Sequence, residues 1–236
     1  MANSSATVYG IGVGPGDPEL MTLKGARLLA ACPVIAYPAP ETGDSMARRI
    51  AAPHLPDGAT EIIIRTPMAA DRFPAQEVYG RAAAEIGEHL AAGRDVAVLC
   101  EGDPFFYGSF MHLHARLRDR IPVEIVPAIT GMSAAWTATN RPITWGDDVL
   151  SVLMATLPED VLAARMAEAD ALVVMKIGRN MDRVRRALRT AGKFDRAWLV
   201  ECAAMEAQRV MPLVEAEGRD VPYFSIVLVH GQGRRP

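Results

Sequence analysis

An α/β fold built as two domains is what this sequence predicts, on three observations. Short runs rich in β-branched residues alternate with longer alanine- and leucine-rich stretches of helical spacing, the pattern of successive strand–helix units. Two strand candidates run straight into glycine- and proline-rich turns, GVGPGDP at residues 12–18 and EGDP at 101–104. Half of the 236 residues are hydrophobic, enough for one large core or two smaller ones.

The first strand is expected over residues 7–13, ending in the first of those turns. Thr22 can cap a helix that continues through Leu28, Leu29 and Ala31. A second strand over 34–37 should stop at Pro38, which has no N–H for a ladder. Over 75–92, Val78, Ala82, Ile86 and Leu90 recur at helical spacing, and Gly93 is placed to stop that helix. Residues 95–100 read as a fully buried strand, followed by a helix over 109–118 and a strand over 123–126. The alanine-rich stretch 127–139 reads as helical. Pro127 marks the domain boundary, giving domains of 1–127 and 128–236. The second domain holds a strand at 149–155, a helix at 158–167, a strand at 171–176, a helix at 181–191 and strands at 196–200 and 224–229. With no repeat, low-complexity tract or long linker, the two halves should pack closely with any ligand cleft between them.

Composition narrows the function classes. A charged fraction of 22% and a formal net charge of -3 leave no basic surface of the kind that neutralises phosphates, so nucleic acid is not the expected partner. Cys32, Cys100 and Cys202 lie in or beside apolar runs and form no Cys-x-x-Cys pair, which points to neither a disulfide framework nor a zinc site. Residues 1–7 lack the basic start and apolar core of a signal peptide, and no apolar run approaches the roughly 20 residues of a membrane span. The expectation is a soluble, cytoplasmic protein.

Four segments can carry chemistry. In GIGVGPGDPELMTLKG (10–25), Gly10, Gly12, Gly14 and Gly16 remove every second side chain, which allows close backbone approach and positive φ. It is not a G-x-G-x-x-G turn, and Pro15 and Pro18 keep a helix from starting directly behind it. In EGDPFFYGSFMHL (101–113), Gly102 permits a sharp turn, Asp103 offers a carboxylate, and Phe105, Phe106 and Tyr107 offer flat apolar surface. That set suits a ligand with a planar ring and hydroxyls or an amine; the plainer reading makes Asp103 a helix cap and the aromatics core. In VPAITGMSAA (126–135), Thr130, Gly131 and Ser133 follow a strand, as ligand contacts or as ordinary capping. In VVMKIGRN (173–180), Lys176 and Arg179 make a basic strand end, able to meet carboxylates or simply solvated. His112 and His114 are two apart on a helix, a poor metal pair, and Cys100 reads as a core cysteine.

Taken in order along the chain, the G-x-G-P-G-D loop, the G-D-P turn, the P-x-I-T-G segment and the terminal strand resemble the tetrapyrrole (corrin and porphyrin) methylases. Within that family, EGDPFFYGSFMHL, VPAITGMSA and MKIGRN are most similar to the branch acting at carbon 20 of precorrin-2 or of its cobalt-containing counterpart. The resemblance implies a class III methyltransferase-like fold of two α/β domains, a homodimer, with S-adenosyl-L-methionine bound between the domains. Carried over by position, Gly102, Asp103, Phe106, Thr130 and Gly131 hold the cofactor, with Ile177, Ala203 and Ser225 around its adenine and ribose. Pro15 and Asp17 border the tetrapyrrole side. Ala128 and Ala203 depart from the pattern, standing where many relatives have glycine.

The implied reaction moves a methyl group from the sulfonium to carbon 20 of precorrin-2, giving precorrin-3A and S-adenosylhomocysteine. A proton must leave that carbon, and Glu101, Asp17 and Tyr107 are the bases at hand. The substrate is a polycarboxylate, so Arg48, Arg49, Lys176 and Arg179 are candidate partners for its acid arms. Two readings of other classes stay open on the residues alone. A nicotinamide-dependent oxidoreductase using the first glycine loop predicts affinity for NAD. A noncatalytic module whose loops are only turns predicts neither ligand.

Overall fold

The computed structural model describes residues 6–66 and 73–233; residues 1–5, part of the stretch read for a targeting signal, lie outside the described residues. Contacts divide the chain into two compact units, Met1–Thr130 and Gly131–Pro236. The boundary expected from the sequence lies after Pro127.

The first unit contains β1 (Val8–Gly12), α1 (Leu23–Ala31), β2 (Val34–Pro40), α2 (Met46–Ala51), β3 (Thr60–Thr66), α3 (Phe73–Ala91), β4 (Val96–Cys100), α4 (Phe110–Leu117) and β5 (Val123–Val126). Its five strands form one parallel sheet in the order β3-β2-β4-β1-β5. A parallel sheet has both faces covered, so its central strands are apolar on both sides. In β4, Val96, Val98 and Cys100 pack with Ile86 and Leu90 of α3 and Phe110 and Leu113 of α4. The alternate residues Ala97 and Leu99 pack on the other face with Leu29 of α1 and Ile50 of α2.

Local sequence explains most element ends. Thr22 Oγ1 accepts the Gly25 N–H at 3.1 Å and caps α1. Gly93, at φ +74°, follows α3. Three expectations are corrected. Strand β2 runs on through Pro38 to Pro40, because beyond Ala36 it is laddered only to β3 and a proline on the open side removes no hydrogen bond. A 3-10 turn, Pro18–Leu20, does start behind the first glycine loop: proline is accommodated at a first helical position, and Asp17 Oδ1 caps it by accepting the Glu19 N–H at 2.9 Å. The 127–139 stretch is helical only from Gly131, since the Ala128 N–H is taken by Asp103 instead of turning into a helix. Two elements of this unit were not anticipated. Helix α2 is short and held by Ser45, whose hydroxyl donates to the Pro38 carbonyl at 2.6 Å and accepts the Arg48 N–H. Strand β3 is an edge strand with Ile62 and Ile64 buried between exposed Glu61, Ile63 and Arg65.

The second unit contains α5 (Gly131–Ala138), β6 (Leu150–Met154), α6 (Glu159–Glu168), β7 (Ala171–Met175), α7 (Met181–Thr190), β8 (Ala197–Glu201), β9 (Arg209–Pro212) and β10 (Ser225–Val229). It too is α/β, but its sheet, ordered β6-β7-β10-β8-β9, is parallel only between β6 and β7. Leu162 and Met166 of α6 and Val184 and Leu188 of α7 pack on one face against Leu172, Val174, Leu199, Val227 and Val229. Ala135 of α5 lies on the other with Val173, Val200 and Leu228. The unanticipated β9 is a short edge strand of mostly half-buried residues, with little of the apolar alternation that announces strands. No described helix is long and apolar enough to cross a membrane.

Candidate functional site

Three loops meet at the carboxyl ends of β4, β1 and β5, where open parallel sheets place their ligands. The first two are zipped together by main chain: Val13 N–H donates to the Cys100 carbonyl at 2.9 Å, and Gly102 N–H to the Gly14 carbonyl at 2.8 Å. Gly14 and Gly102 thus form an antiparallel bridge at the edge of a parallel sheet. The third loop is tied in by Asp103. Its Oδ1 accepts the Phe105 N–H at 2.9 Å and its Oδ2 accepts the Ala128 N–H at 3.0 Å.

The glycines of the first loop serve the protein's own packing. A Cβ on Gly10 would stand 2.4 Å from the Phe110 ring, and one on Gly12 would stand 2.5 Å from both the Gly102 carbonyl oxygen and Ala128 Cβ. Gly14, at φ +81°, takes the left-handed conformation its turn requires. Room made by absent side chains at Gly10 and Gly12 is therefore filled by neighbouring chain.

The plainer reading of the second loop does not hold. Asp103 caps its own turn and the β5 loop, whereas the residue capping α4 is Ser109, with no side-chain bond. Phe105 is 48% and Tyr107 44% exposed, so two of the three aromatics are outside the core; Phe106 is half-buried and meets Tyr107 edge-on at 5.0 Å. Tyr107 has φ +54°, a strained value for a bulky residue. Of the base candidates, Glu101 is half-buried and enters this loop, Tyr107 lies on it, and the Asp17 carboxylate already caps the 3-10 turn. Pro15 is buried in the first loop. His112 and His114 point to different partners, Tyr79 and Phe105 respectively. Cys100 is a core residue, its thiol pushed up to about 11 chiefly by burial. Thr130 ends the unit, half-buried.

Arg48 is committed to an acid of β3. Its guanidinium grips Glu61 with both arms, Nε to Oε2 and Nη2 to Oε1, each at 2.7 Å, and the buried Tyr37 hydroxyl donates to the same carboxylate. Arg48 and this hydroxyl hold the Glu61 carboxyl down at about 2, and burial together with Glu61 pushes Tyr37 up to about 12. Arg49 is exposed, its Nη2 on the Met46 sulfur at 3.0 Å. A pH dependence follows. Glu61 ionises more readily folded than unfolded, so its contribution to stability is complete above its ordinary value of 4.5 and is lost as pH falls toward 2. In urea unfolding, the stability gap between the wild type and Glu61→Gln is expected to narrow across that interval; a constant gap would refute it.

In the second unit, Ile177, Ala203 and Ser225 come to one edge of the sheet. Strand β10 runs antiparallel to β7 and β8 between them, so its first residue, Ser225, sits opposite Glu201 and beside the end of β7. Three non-glycine residues with left-handed backbone cluster there: Lys176 at φ +57°, Cys202 at +49° and Ala204 at +60°. Each costs on the order of 1 to 3 kcal/mol, and such strain gathers at functional sites. The Ile177 side chain is fully buried in the core, and its carbonyl accepts the Asn180 N–H at 2.7 Å. Ser225 is buried, its hydroxyl donating to the Pro222 carbonyl at 2.7 Å. Ala203 and Gly131 are half-buried, and Lys176 and Arg179 are exposed. The left-handed residues have no counterpart in the sequence reading, since none is glycine or asparagine.

Comparison with known proteins bears on these loops directly. Residues 7–217 match the model of the Tetrapyrrole (Corrin/Porphyrin) Methylases. The chain belongs to that family. A protein of Sinorhizobium sp named Precorrin-2 C(20)-methyltransferase is 42% identical over 97% of both chains. The Cobalamin biosynthesis protein CobIJ of Mycobacterium tuberculosis is 44% identical over 99% of this chain, which spans only 47% of that longer protein. Among solved structures, the uroporphyrin-III C-methyl transferase from Thermus thermophilus complexed with S-adenyl homocysteine superposes with a TM-score of 0.69 at 24% identity, over 95% of this chain and 97% of that one. Family membership replaces the nicotinamide and noncatalytic readings of the glycine loops: both belong to the methylase pattern, in methylase order.

Proposed function

We propose that this chain transfers the methyl group of S-adenosyl-L-methionine to carbon 20 of precorrin-2, releasing precorrin-3A, S-adenosylhomocysteine and a proton. The observation that carries the reading is the end-to-end likeness to the Sinorhizobium protein, 42% identical over 97% of each chain. The geometry fits it. The segments that carry the resemblance, 12–18, 101–106 and 126–131, are gathered at one sheet edge or continue from it, the first two joined by main-chain bonds and the third tied in by the Asp103 carboxylate. Preorganisation of this kind is what a methyl transfer asks of a protein.

The bound cofactor supplies an already activated methyl group, and the rest is positioning. Gly102, Asp103, Phe106 and Thr130 of the first unit and Gly131, Ile177, Ala203 and Ser225 of the second are assigned to hold it. Phe105 and Tyr107 add exposed flat surface beside this loop, suited to an extended ring. Pro15 and Asp17 are assigned to the tetrapyrrole side. Lys176 and Arg179, exposed and basic, are the assigned partners of its carboxylates, while Arg48 is assigned to that role only if Glu61 yields it. The same reading carries a cytoplasmic homodimer, which light scattering tests.

Incubation of the purified protein with methyl-labelled S-adenosylmethionine and, separately, precorrin-2 and cobalt-precorrin-2 is the direct test. Label is expected on precorrin-2, at carbon 20 by NMR. Label only on the cobalt compound would move the substrate to the metal-containing ring. Label on neither, together with no calorimetric binding of S-adenosylhomocysteine, would overturn the reading.

A further inference from the structure

Ala203 sits on the turn that joins β8 to β9. Glu201 and Arg209 stand opposite each other in the ladder, so the chain must reverse between them. It does so through two non-glycine residues in the left-handed region, Cys202 at φ +49° and Ala204 at +60°. Such residues stay there only when their surroundings hold them. The entry is held from the neighbouring strand, where Cys202 N–H donates to the Phe224 carbonyl at 2.7 Å, one residue before Ser225. Within the turn, Met205 N–H donates to the Cys202 carbonyl and Gln208 N–H to the Met205 carbonyl, each at 3.0 Å. The second left-handed residue is held by a side chain. Ala204 N–H donates to Gln208 Oε1 at 2.8 Å, and Gln208 immediately precedes β9, which fixes where its side chain starts.

We propose that Gln208 is the positioning residue of the turn that presents Ala203, acting through the left-handed backbone of Ala204. A main-chain N–H can only donate, so the oxygen of the amide is the atom that must face it, and a carboxylate oxygen in the same place would serve as well. Without that acceptor, Ala204 relaxes toward the ordinary negative φ and carries Ala203 with it. Glycine at 204 reaches the left-handed region at no steric cost and so needs Gln208 less. Gln208 is exposed and packs in no core, so its removal acts on the turn while the ladder of β8, β9 and β10 stands.

The consequence for the cofactor rests on the proposed function, in which Ala203 and Ser225 border it; the hold on Ala204 does not. The test compares the full chain with Gln208→Ala, Gln208→Glu, Ala204→Gly and the double variant Gln208→Ala/Ala204→Gly. Amide exchange at position 204 is expected to accelerate on the order of fivefold in Gln208→Ala and to stay within about twofold of the wild type in Gln208→Glu, which keeps an acceptor. The Kd for S-adenosylhomocysteine and the KM for S-adenosylmethionine are expected to rise on the order of fivefold in Gln208→Ala, with kcat at saturation unchanged. On the Ala204→Gly background the same substitution should raise them by less than about twofold. A general loosening of the fold would instead lower the urea midpoint and kcat together, and glycine at 204 would not relieve it. Unchanged exchange at position 204 in Gln208→Ala would overturn the inference, as would a Kd that is unmoved or that rises equally on both backgrounds. A wild type that binds no S-adenosylhomocysteine would defeat the functional reading alone, and the exchange measurement would still decide whether Gln208 holds the turn.

Discussion

Gly12→Ala is expected to leave the protein folded at best in part and without measurable methyl transfer. The added methyl would lie 2.5 Å from Ala128 Cβ, 2.5 Å from the Gly102 carbonyl oxygen and 2.9 Å from Pro104 Cδ. Two of these neighbours belong to the second loop and one to the third, and the nearest oxygen is main chain, which cannot swing aside as a long side chain would. Relief requires the loops to part, which breaks the Gly14–Gly102 bridge and strains the Asp103–Ala128 bond. Overpacking of this kind costs about 1 to 3 kcal/mol or more. A fall in urea midpoint together with loss of S-adenosylhomocysteine binding by calorimetry is the expected result. Gly80→Ala in α3 is the comparison, since its methyl would meet nothing within 4 Å and alanine is favoured over glycine in a helix by roughly 1 kcal/mol. A Gly12→Ala protein as stable and as avid as the wild type would disprove the packing argument.

Asp103→Ala is expected to weaken S-adenosylhomocysteine binding on the order of a hundredfold, whether or not the carboxylate touches the ligand. Each of its oxygens already holds one main-chain N–H, of Phe105 within its own loop and of Ala128 in the next. Alanine releases both, and each bond to a charged acceptor contributes about 1.5 to 3 kcal/mol. Asp103→Asn keeps one oxygen and hence one of the two bonds, so its loss should be nearer tenfold. Calorimetry on the three proteins separates the outcomes: an asparagine variant as weak as alanine would mean that the charge itself faces the ligand, and an alanine variant of normal affinity would remove Asp103 from the site.

Much of this could be read from residues alone, for physical reasons. Strand β4 announces itself because burial on both faces demands an unbroken apolar run, and α3 because a half-buried helix repeats at Val78, Ala82, Ile86 and Leu90. The motif segments were visible because turns need glycine and proline at fixed places. What stayed hidden was set by neighbours distant in sequence. The partner of Arg48 is Glu61 on an edge strand, so a residue that reads as a free cation is committed to an ion pair. The purpose of Gly12 is set by Ala128, and that of Gly108 by Cys100. Left-handed backbone at Lys176, Cys202 and Ala204 has no glycine to signal it.

The antiparallel bridge between Gly14 and Gly102 has a kinetic side. Its two hydrogen bonds join loops that leave different strands, so neither loop can swing out while the other keeps its place. They open as one unit or stay shut, and amide exchange at Val13 and Gly102 should rise and fall together under any perturbation. A ligand lodged on this edge would therefore meet a floor rather than a pair of independent flaps.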